Sequence, residues 1–118
     1  MIAQLKAFRI LSSSVLVVGM LGAGAATAAD AQHGQKIYDQ TCVACHGADG
    51  RGALPGAPDF TSKSGPLAKD DALLLRHITD GFQSPGSMMA MPPKGGNSDL
   101  TEEDVIDVLR YIRGKYGS

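Results

Sequence analysis

Residues 42–46 read Cys42-Val43-Ala44-Cys45-His46, and the rest of the chain is best interpreted outward from this stretch. Two cysteines three positions apart, with a histidine directly after the second, form the pattern for covalent attachment of a c-type haem. On a helical turn, positions three and four apart share a face. The two sulfurs can therefore form thioethers with the two vinyl groups of one porphyrin, while His46 reaches the iron as an axial ligand.

Three other uses of a Cys-x-x-Cys pair were weighed against haem attachment. A structural zinc site takes four protein ligands, and beyond the motif the chain offers only His33 and His77, with no further cysteine. A thioredoxin-like motif is expected beside a βαβ pattern, and no convincing strand precedes Cys42. A simple disulfide is the third alternative. The sequence favours one covalently bound haem c over all three.

Residues 1–29 are predicted to be a secretory signal peptide. Lys6 and Arg9 precede an apolar run over residues 10–21, which leads into a stretch of small residues typical of a cleavage site. An uncleaved membrane anchor is the alternative, but serines and glycines dilute an apolar stretch that should reach about 20 residues. We expect cleavage before Asp30 or one residue earlier, export to the periplasm, and no stable membrane insertion afterwards.

Residues 30–118 then form one small domain with a mildly acidic balance. Lys6 and Arg9 leave with the signal peptide, so the 11 basic residues of the chain fall to 9, against 12 acidic ones. Such a domain has no evident electrostatic attraction to nucleic acid or to anionic lipid. It has no tryptophan and few other aromatic residues, so a buried porphyrin would supply apolar mass that a domain of this size lacks. We expect a monomer.

The fold class is predicted to be all-α, with three or more helices and long loops wrapped around the haem. A first helix is expected over residues 30–44, with Asp30 as its N-cap. Gly34 inside that helix costs stability relative to alanine, which predicts a close approach by another helix. A second helix is expected over residues 70–80 and ends at Gly81. The segments between these helices are rich in glycine and proline.

The clearest helix covers residues 100–116. Thr101 is its predicted N-cap, and Asp104 three positions later completes a capping box. Acidic residues fill its first turn and basic residues its last, which suits the helix dipole. The apolar positions that repeat at helical spacing are expected to be buried: Val105, Val108, Leu109, Ile112 and Tyr116.

The second axial ligand of the iron is predicted to be Met91. It precedes Pro92-Pro93, whose fixed torsions would hold a thioether sulfur at a set position. Its segment lacks helical periodicity, which weakens the alternative that these methionines only fill gaps in a core. The other candidates are Met88, Met89, His77 and His33.

These residues together amount to a family resemblance. The arrangement Gly34-x-x-x-Tyr38-x-x-x-Cys42-x-x-Cys45-His46, then Met91-Pro92-Pro93, then a final helix with Val108-Leu109-x-Tyr111-Ile112, resembles class I cytochrome c. The resemblance covers essentially all of residues 30–118. The attachment motif lies near the start of the domain, whereas the four-helix-bundle cytochromes c′ carry it near the C-terminus.

The resemblance implies two further contacts. In this family the N-terminal glycine and aromatic residue pack against the C-terminal helix, which would place Gly34 against Val108 and Tyr111. The family also has a proline carbonyl that accepts a hydrogen bond from the other nitrogen of the proximal histidine, and such a bond orients the ligand and tunes the iron. Pro58 is the preferred match for that proline; the alternatives are Pro55 and Pro66.

The predicted function follows from the ligand set. Iron held by His46 and Met91 has both axial positions filled, and a thioether raises the reduction potential relative to two histidines. We therefore expect a periplasmic one-electron carrier of a respiratory chain, and not an enzyme. Its partners would be redox proteins, with a dehydrogenase or membrane complex as donor and an oxidase or reductase as acceptor. We expect loops 53–56 and 88–94, including Lys94, to face them.

The alternative function is a haem protein that binds a small ligand, or acts as a weak peroxidase, after Met91 dissociates from the iron. Glycines on both sides of the methionine segment make a mobile ligand loop conceivable. Binding of carbon monoxide to the reduced protein distinguishes the two functions, because a carrier with both axial positions filled resists it.

Overall fold

The structure is a computed structural model that describes residues 28–117, without the side chain of Ala29. The predicted signal peptide lies outside the described residues except for Ala28 and Ala29, which begin the first helix. Within the described part of the chain, no helix is long and apolar enough to span a membrane.

The described residues form an all-α fold, as the sequence predicts. The helices are α1 (Ala28–Ile37), α2 (Val43–His46), α3 (Asp71–Asp80) and α4 (Glu102–Tyr116). Short 3₁₀ turns lie at Pro66–Ala68 and Pro93–Gly96. Over residues 28–117 the sole β pairing is an isolated antiparallel bridge between Phe82 and Met91.

A turn of π-helix, Tyr38–Cys42, joins α1 to α2 without a break. The amide of Val43 donates to the carbonyl of Tyr38, five positions back, and this adds one residue to the helical turn. The extra residue rotates residues 42–46 about the helix axis, relative to the face of α1 that packs on the core. π turns of this kind are frequent at functional sites. The predicted helix over residues 30–44 is therefore present, but Asp30 lies in its first turn and does not cap it.

The two later helices begin and end as their capping residues predict. Asp70 caps α3 by accepting a hydrogen bond from the Leu73 amide at 2.8 Å, and Gly81 follows the helix at φ 81°. In α4, the Asp104 amide donates to the Thr101 hydroxyl and the Thr101 amide donates to the Asp104 carboxylate, so the capping box is complete. All five apolar positions predicted to be buried in α4 are buried.

Helices α1 and α4 pack closely at Gly34. A Cβ atom at this position would lie 2.1 Å from the carbonyl oxygen of Asp107 and 3.0 Å from Cβ of Tyr111. Only glycine allows this approach, which confirms the predicted packing of Gly34 against the C-terminal helix. The core that surrounds the contact consists of Ile37, Tyr38, Phe60, Leu100, Val108, Ile112 and Tyr116.

His33 and Asp104 form a second link between these helices. Nε2 of His33 lies 2.6 Å from Oδ1 of Asp104, while the other carboxylate oxygen accepts from the amide of Thr101. The hydrogen bond from His33, followed by those from Thr101, lowers the pKa of Asp104 to about 2. His33, one of the candidate iron ligands, is therefore engaged with the N-terminus of α4.

Arg113 attaches the beginning of α3 to α4. Its Nε donates to the carboxylate of Asp71. Its two remaining nitrogens donate to the carbonyls of Leu67, at 2.9 Å, and Lys69, at 2.6 Å. The planar guanidinium presents its donors in a fixed fork, so one side chain orders both the 3₁₀ turn and the first residue of α3.

Candidate haem site

His46, the last residue of α2, has a nearly enclosed imidazole. The residue is 9% exposed, and its ring lies almost parallel to that of Phe60, with 4.7 Å between centroids and 18° between planes. Burial lowers the pKa of His46, which favours the neutral imidazole. The neutral ring is the form that binds a metal.

The second nitrogen of this imidazole has no hydrogen-bond partner in the structure. Nδ1 of His46 is buried, and no acceptor among residues 28–117 bonds to it. The bond predicted with the carbonyl of Pro58 is therefore not formed here. The same loop reaches the histidine through Phe60, two residues further on, because the core holds that side chain while Pro58 is exposed.

The two cysteines of the motif are free thiols. Cys42 is half-buried against the core, whereas Cys45 is exposed. Burial, followed by the neighbouring Cys45, raises the pKa of Cys42 to about 11. The disulfide alternative is not what the structure contains. Among residues 28–117, no three His, Cys, Asp or Glu side chains are grouped so that they could hold a metal ion such as zinc.

Two tyrosine hydroxyls hold the turn that follows His46. The Tyr38 hydroxyl donates to the carbonyl of Gly47 at 2.6 Å, and the Tyr116 hydroxyl donates to the carbonyl of Ala48 at 2.9 Å. Gly47 has φ 82°, the left-handed region that favours glycine. Burial raises the pKa of Tyr38, so its hydroxyl keeps the proton that it donates.

The loop after this turn folds back over the motif. The amides of Gly52 and Ala53 donate to the carbonyls of His46 and Cys45, each at 2.9 Å. These carbonyls end a helix and would otherwise lack partners. The loop therefore satisfies the end of α2 and keeps the motif in a fixed position.

Met91 is anchored through its backbone. Its amide donates to the carbonyl of Phe82 at 2.8 Å and its carbonyl accepts from the Phe82 amide at 3.0 Å. The three candidate methionines differ in exposure: Met91 is half-buried, whereas Met88 is 98% and Met89 50% exposed. Met91 is therefore the most buried of the three candidate methionines.

His77, the remaining candidate ligand, is occupied by an aromatic contact. Its ring stacks on Phe82 with 3.8 Å between centroids and 14° between planes. Nζ of Lys69 lies 5.7 Å from the centroid of the same Phe82 ring. This arrangement fits a packing histidine on α3.

Exposed apolar side chains in the two long loops leave apolar surface that a bound haem could cover. Leu54 lies in the loop after the motif, and Phe82, Met88 and Met89 lie in the loop that carries Met91; all four are exposed. A buried histidine, two free thiols and uncovered apolar side chains together fit a covalently held porphyrin. Two hollows of about 170 and 280 Å³ between α3 and α4 are lined by other residues, among them Leu75 and Ile106.

Comparison with known proteins identifies the family. The family model described as "Cytochrome C oxidase, cbb3-type, subunit III" matches residues 29–112. Cytochrome c-555 of Chlorobaculum tepidum is 31% identical over 110 residues, which cover 91% of this chain and 96% of that protein. The chain belongs to the class I c-type cytochromes.

Two further relatives of this cytochrome differ in size. Cytochrome c6 of Pyropia yezoensis is 35% identical over 99 residues, 84% of this chain and 82% of that protein. The cbb3-type cytochrome c oxidase subunit FixP of a Bradyrhizobium species is 36% identical over 111 residues, 93% of this chain but 37% of that protein. The cytochrome therefore resembles both small single-domain proteins and one segment of a larger subunit.

Membership in the class I c-type cytochromes confirms three predictions from the sequence. The fold is all-α, the cofactor is one covalently attached haem c, and the protein is a haem-based electron carrier. The structure adds three residues that sequence reasoning did not place at the site: Phe60 beside His46, and the hydroxyls of Tyr38 and Tyr116 on the following turn.

Proposed function

We propose that this cytochrome is a periplasmic one-electron carrier whose iron is bound by His46 and Met91 and whose haem is attached at Cys42 and Cys45. When bound, the haem supplies a one-electron couple between ferrous and ferric iron. His46 and Met91 would hold the iron and leave it no open position, so the protein would move electrons without binding a substrate at the metal.

Residues around His46 support its role as the proximal ligand. Phe60 holds the plane of the imidazole, and the tyrosine-bound turn at Gly47 fixes the backbone that follows it. Pro58 remains the proposed hydrogen-bond acceptor for Nδ1, because it lies two residues before Phe60, whose ring stacks on the imidazole. An acceptor there would orient the histidine and raise its strength as a ligand.

The observation that carries the distal assignment is the pairing of Met91 with Phe82. Two backbone hydrogen bonds fix the Met91 main chain, and Pro92 and Pro93 restrict the torsions that follow it. A ligand fixed in this way needs little reorganisation to stay on the iron. Met88 and Met89 are exposed, and the Met89 backbone is bonded to the hydroxyl of Ser87, two residues away, rather than to Phe82.

The partners are proposed to be redox proteins that meet the cytochrome transiently. FixP is by name a subunit of a cbb3-type oxidase, which supports an oxidase or reductase as electron acceptor. A dehydrogenase or membrane complex would be the donor. We propose that the cytochrome acts as a monomer after its signal peptide, residues 1–29, is removed in the periplasm. The predicted contact loops, residues 53–56 and 88–94, would offer a small area, as expected for brief encounters.

The absorption spectrum of the oxidised protein tests this proposal. The protein should be made in a host that attaches haem, and wild type compared with Met91→Ala and the matched control Met88→Ala. We expect a weak sulfur-to-iron band in the far red that is lost in Met91→Ala and kept in Met88→Ala. Wild-type protein without the band, or a Met91→Ala variant that retains it, would overturn the Met91 assignment.

Carbon monoxide binding separates the carrier from the alternative function. Reduced wild-type protein is expected to bind carbon monoxide slowly, whereas Met91→Ala should bind it at once because one face of the iron is open. Rapid binding by the wild type would instead favour a ligand-binding or weakly peroxidatic haem protein with a dissociable Met91.

A further inference from the structure

Lys94 has a backbone conformation that its residue type seldom adopts. Its φ and ψ are 53° and 30°, the left-handed region, and among residues 28–117 it is the one non-glycine residue with positive φ. The next two residues, Gly95 and Gly96, also have positive φ, where glycine carries no steric penalty. A lysine in this conformation is strained relative to glycine, so its side chain must supply something that glycine lacks.

The ammonium group of Lys94 supplies a hydrogen bond to the core. Its Nζ donates to the carbonyl oxygen of Leu100 at 2.7 Å, at a partly buried position. Leu100 is itself buried and directly precedes Thr101, the N-cap of α4. A hydrogen bond from a charged donor is stronger than one between neutral groups. Lys94, expected from the sequence to face a redox partner, is instead half-buried and bonded within the protein.

The hydrogen bond between Lys94 and Leu100 holds the C-terminal side of the segment that carries Met91. On one side, the Met91 backbone pairs with Phe82. On the other, Lys94 is bonded to Leu100, and only Pro92 and Pro93 separate it from Met91. The two prolines have a fixed φ, so fewer backbone torsions are free to absorb a displacement at Lys94 before it reaches Met91.

We propose that Lys94 is a positioning residue for the distal iron ligand. Its ammonium fastens the Met91 segment to the beginning of α4 and so keeps the thioether in place. This inference rests on the proposed role of Met91 as ligand. It gives the loop from Met91 to Gly96 a defined anchor on the core, and it removes Lys94 from the surface offered to partners.

Lys94→Gly tests the bond without straining the backbone, because glycine prefers the observed conformation. Lys94→Arg keeps a charged donor that can reach the carbonyl. Lys63→Gly, in an exposed loop, is the control for loss of one positive charge. For Lys94→Gly we expect carbon monoxide to bind the reduced protein about tenfold faster, as for loss of one charge-assisted hydrogen bond. Lys94→Arg and Lys63→Gly should behave as wild type.

A Lys94→Gly variant that binds carbon monoxide no faster than wild type would overturn the proposal. A Lys94→Arg variant that binds carbon monoxide as fast as Lys94→Gly would also overturn it. Loss of the charged hydrogen bond to the Leu100 carbonyl would then not explain the faster binding.

Amide hydrogen exchange makes the test independent of the iron ligand. The Met91 and Gly95 amides donate to the carbonyls of Phe82 and Pro92, and both should exchange faster in haem-bound Lys94→Gly. Unchanged exchange overturns the role of Lys94, whatever the ligand is. If exchange is faster in Lys94→Gly but the far-red band survives in Met91→Ala, Lys94 still anchors the loop and Met91 is not the ligand. Failure of the anchor and failure of the ligand assignment are therefore distinguishable.

Discussion

The imidazole of His46 lies face to face with the ring of Phe60, with centroids 4.7 Å apart and planes inclined by 18°. The amide of Phe60 donates to the carbonyl of Gly50 at 2.8 Å, so the position of the ring is fixed by its own backbone. Since Nδ1 of His46 has no partner in this structure, the aromatic contact is what sets the orientation of the imidazole.

Phe60→Leu should therefore loosen the proximal ligand. Leucine keeps much of the apolar volume but offers no flat face, so the imidazole will sample a wider range of orientations. The electron paramagnetic resonance lines of the oxidised protein are expected to broaden, with a loss of stability of about 1 kcal/mol. Ile106→Val, which trims an exposed apolar side chain on α4, is the control. Identical lines in Phe60→Leu and wild type would refute the role of Phe60.

Gly34→Ala is expected to be strongly destabilising. The added Cβ would lie 2.1 Å from the Asp107 carbonyl oxygen, so α1 and α4 must move apart at a cost of about 3 kcal/mol. Gly114→Ala is the matched control, since nothing lies within 4 Å of its added Cβ; it should gain about 0.5–1 kcal/mol as an alanine within a helix. Guanidinium unfolding of the haem-bound proteins measures both. Equal losses in the two variants would contradict the close approach.

The pair formed by His33 and Asp104 should give a defined dependence of stability on pH. Hydrogen bonds lower the pKa of Asp104 from its ordinary 3.8 to about 2 in the folded protein. Between these values the unfolded chain binds more protons, so stability rises with pH. The contribution is complete above about pH 4 and is lost as the pH falls through 2.

Asp104→Asn tests this dependence by chemical denaturation from pH 2 to 7. The variant should lose stability at neutral pH and differ less from wild type as the pH falls toward 2. Glu103→Gln, an exposed neighbour in the same helical turn, is the control for loss of one carboxylate. A difference that does not shrink in acid would argue against the pairing.

Arg113→Ala removes three hydrogen bonds from the beginning of α3. We expect a loss of about 2 kcal/mol, because one of the acceptors is a carboxylate and the other two are backbone carbonyls. Arg113→Lys should recover only part of this loss, since an ammonium cannot reproduce the planar fork. Lys115→Ala, an exposed cation near the end of α4, should cost little. Full recovery by lysine would mean that charge alone matters.

Local signals in the sequence predicted much of this fold. The capping box at Thr101 and Asp104, and the buried stripe of α4, both follow from spacing within one helix. The contact at Gly34 was also predictable, from the stability cost of a glycine inside a helix together with the resemblance to class I cytochrome c. Each of these features depends on residues that are near one another in the chain or on a single unusual residue type.

The features that sequence reasoning missed depend on distant partners. His33 meets Asp104 across 71 positions, and Arg113 reaches Asp71 across 42. No local pattern specifies such pairs, because many charged residues would satisfy the same spacing. The π turn at Tyr38–Cys42 was missed for a similar reason: nothing in its five side chains distinguishes it from an α-helical turn, and tertiary packing stabilises it.

The hydrogen bond between Tyr116 and Ala48 ties the turn after His46 to the C-terminal helix. The two residues are 68 positions apart, so the turn beside His46 closes only when α4 has docked, a slow, non-local step. The cysteines and the histidine, by contrast, lie within five consecutive residues at the junction of the π turn and α2. With the proposed ligands, the thioethers would draw on five consecutive residues, whereas the surroundings of the iron would draw on almost the whole domain, so attachment and ligation would be separable steps.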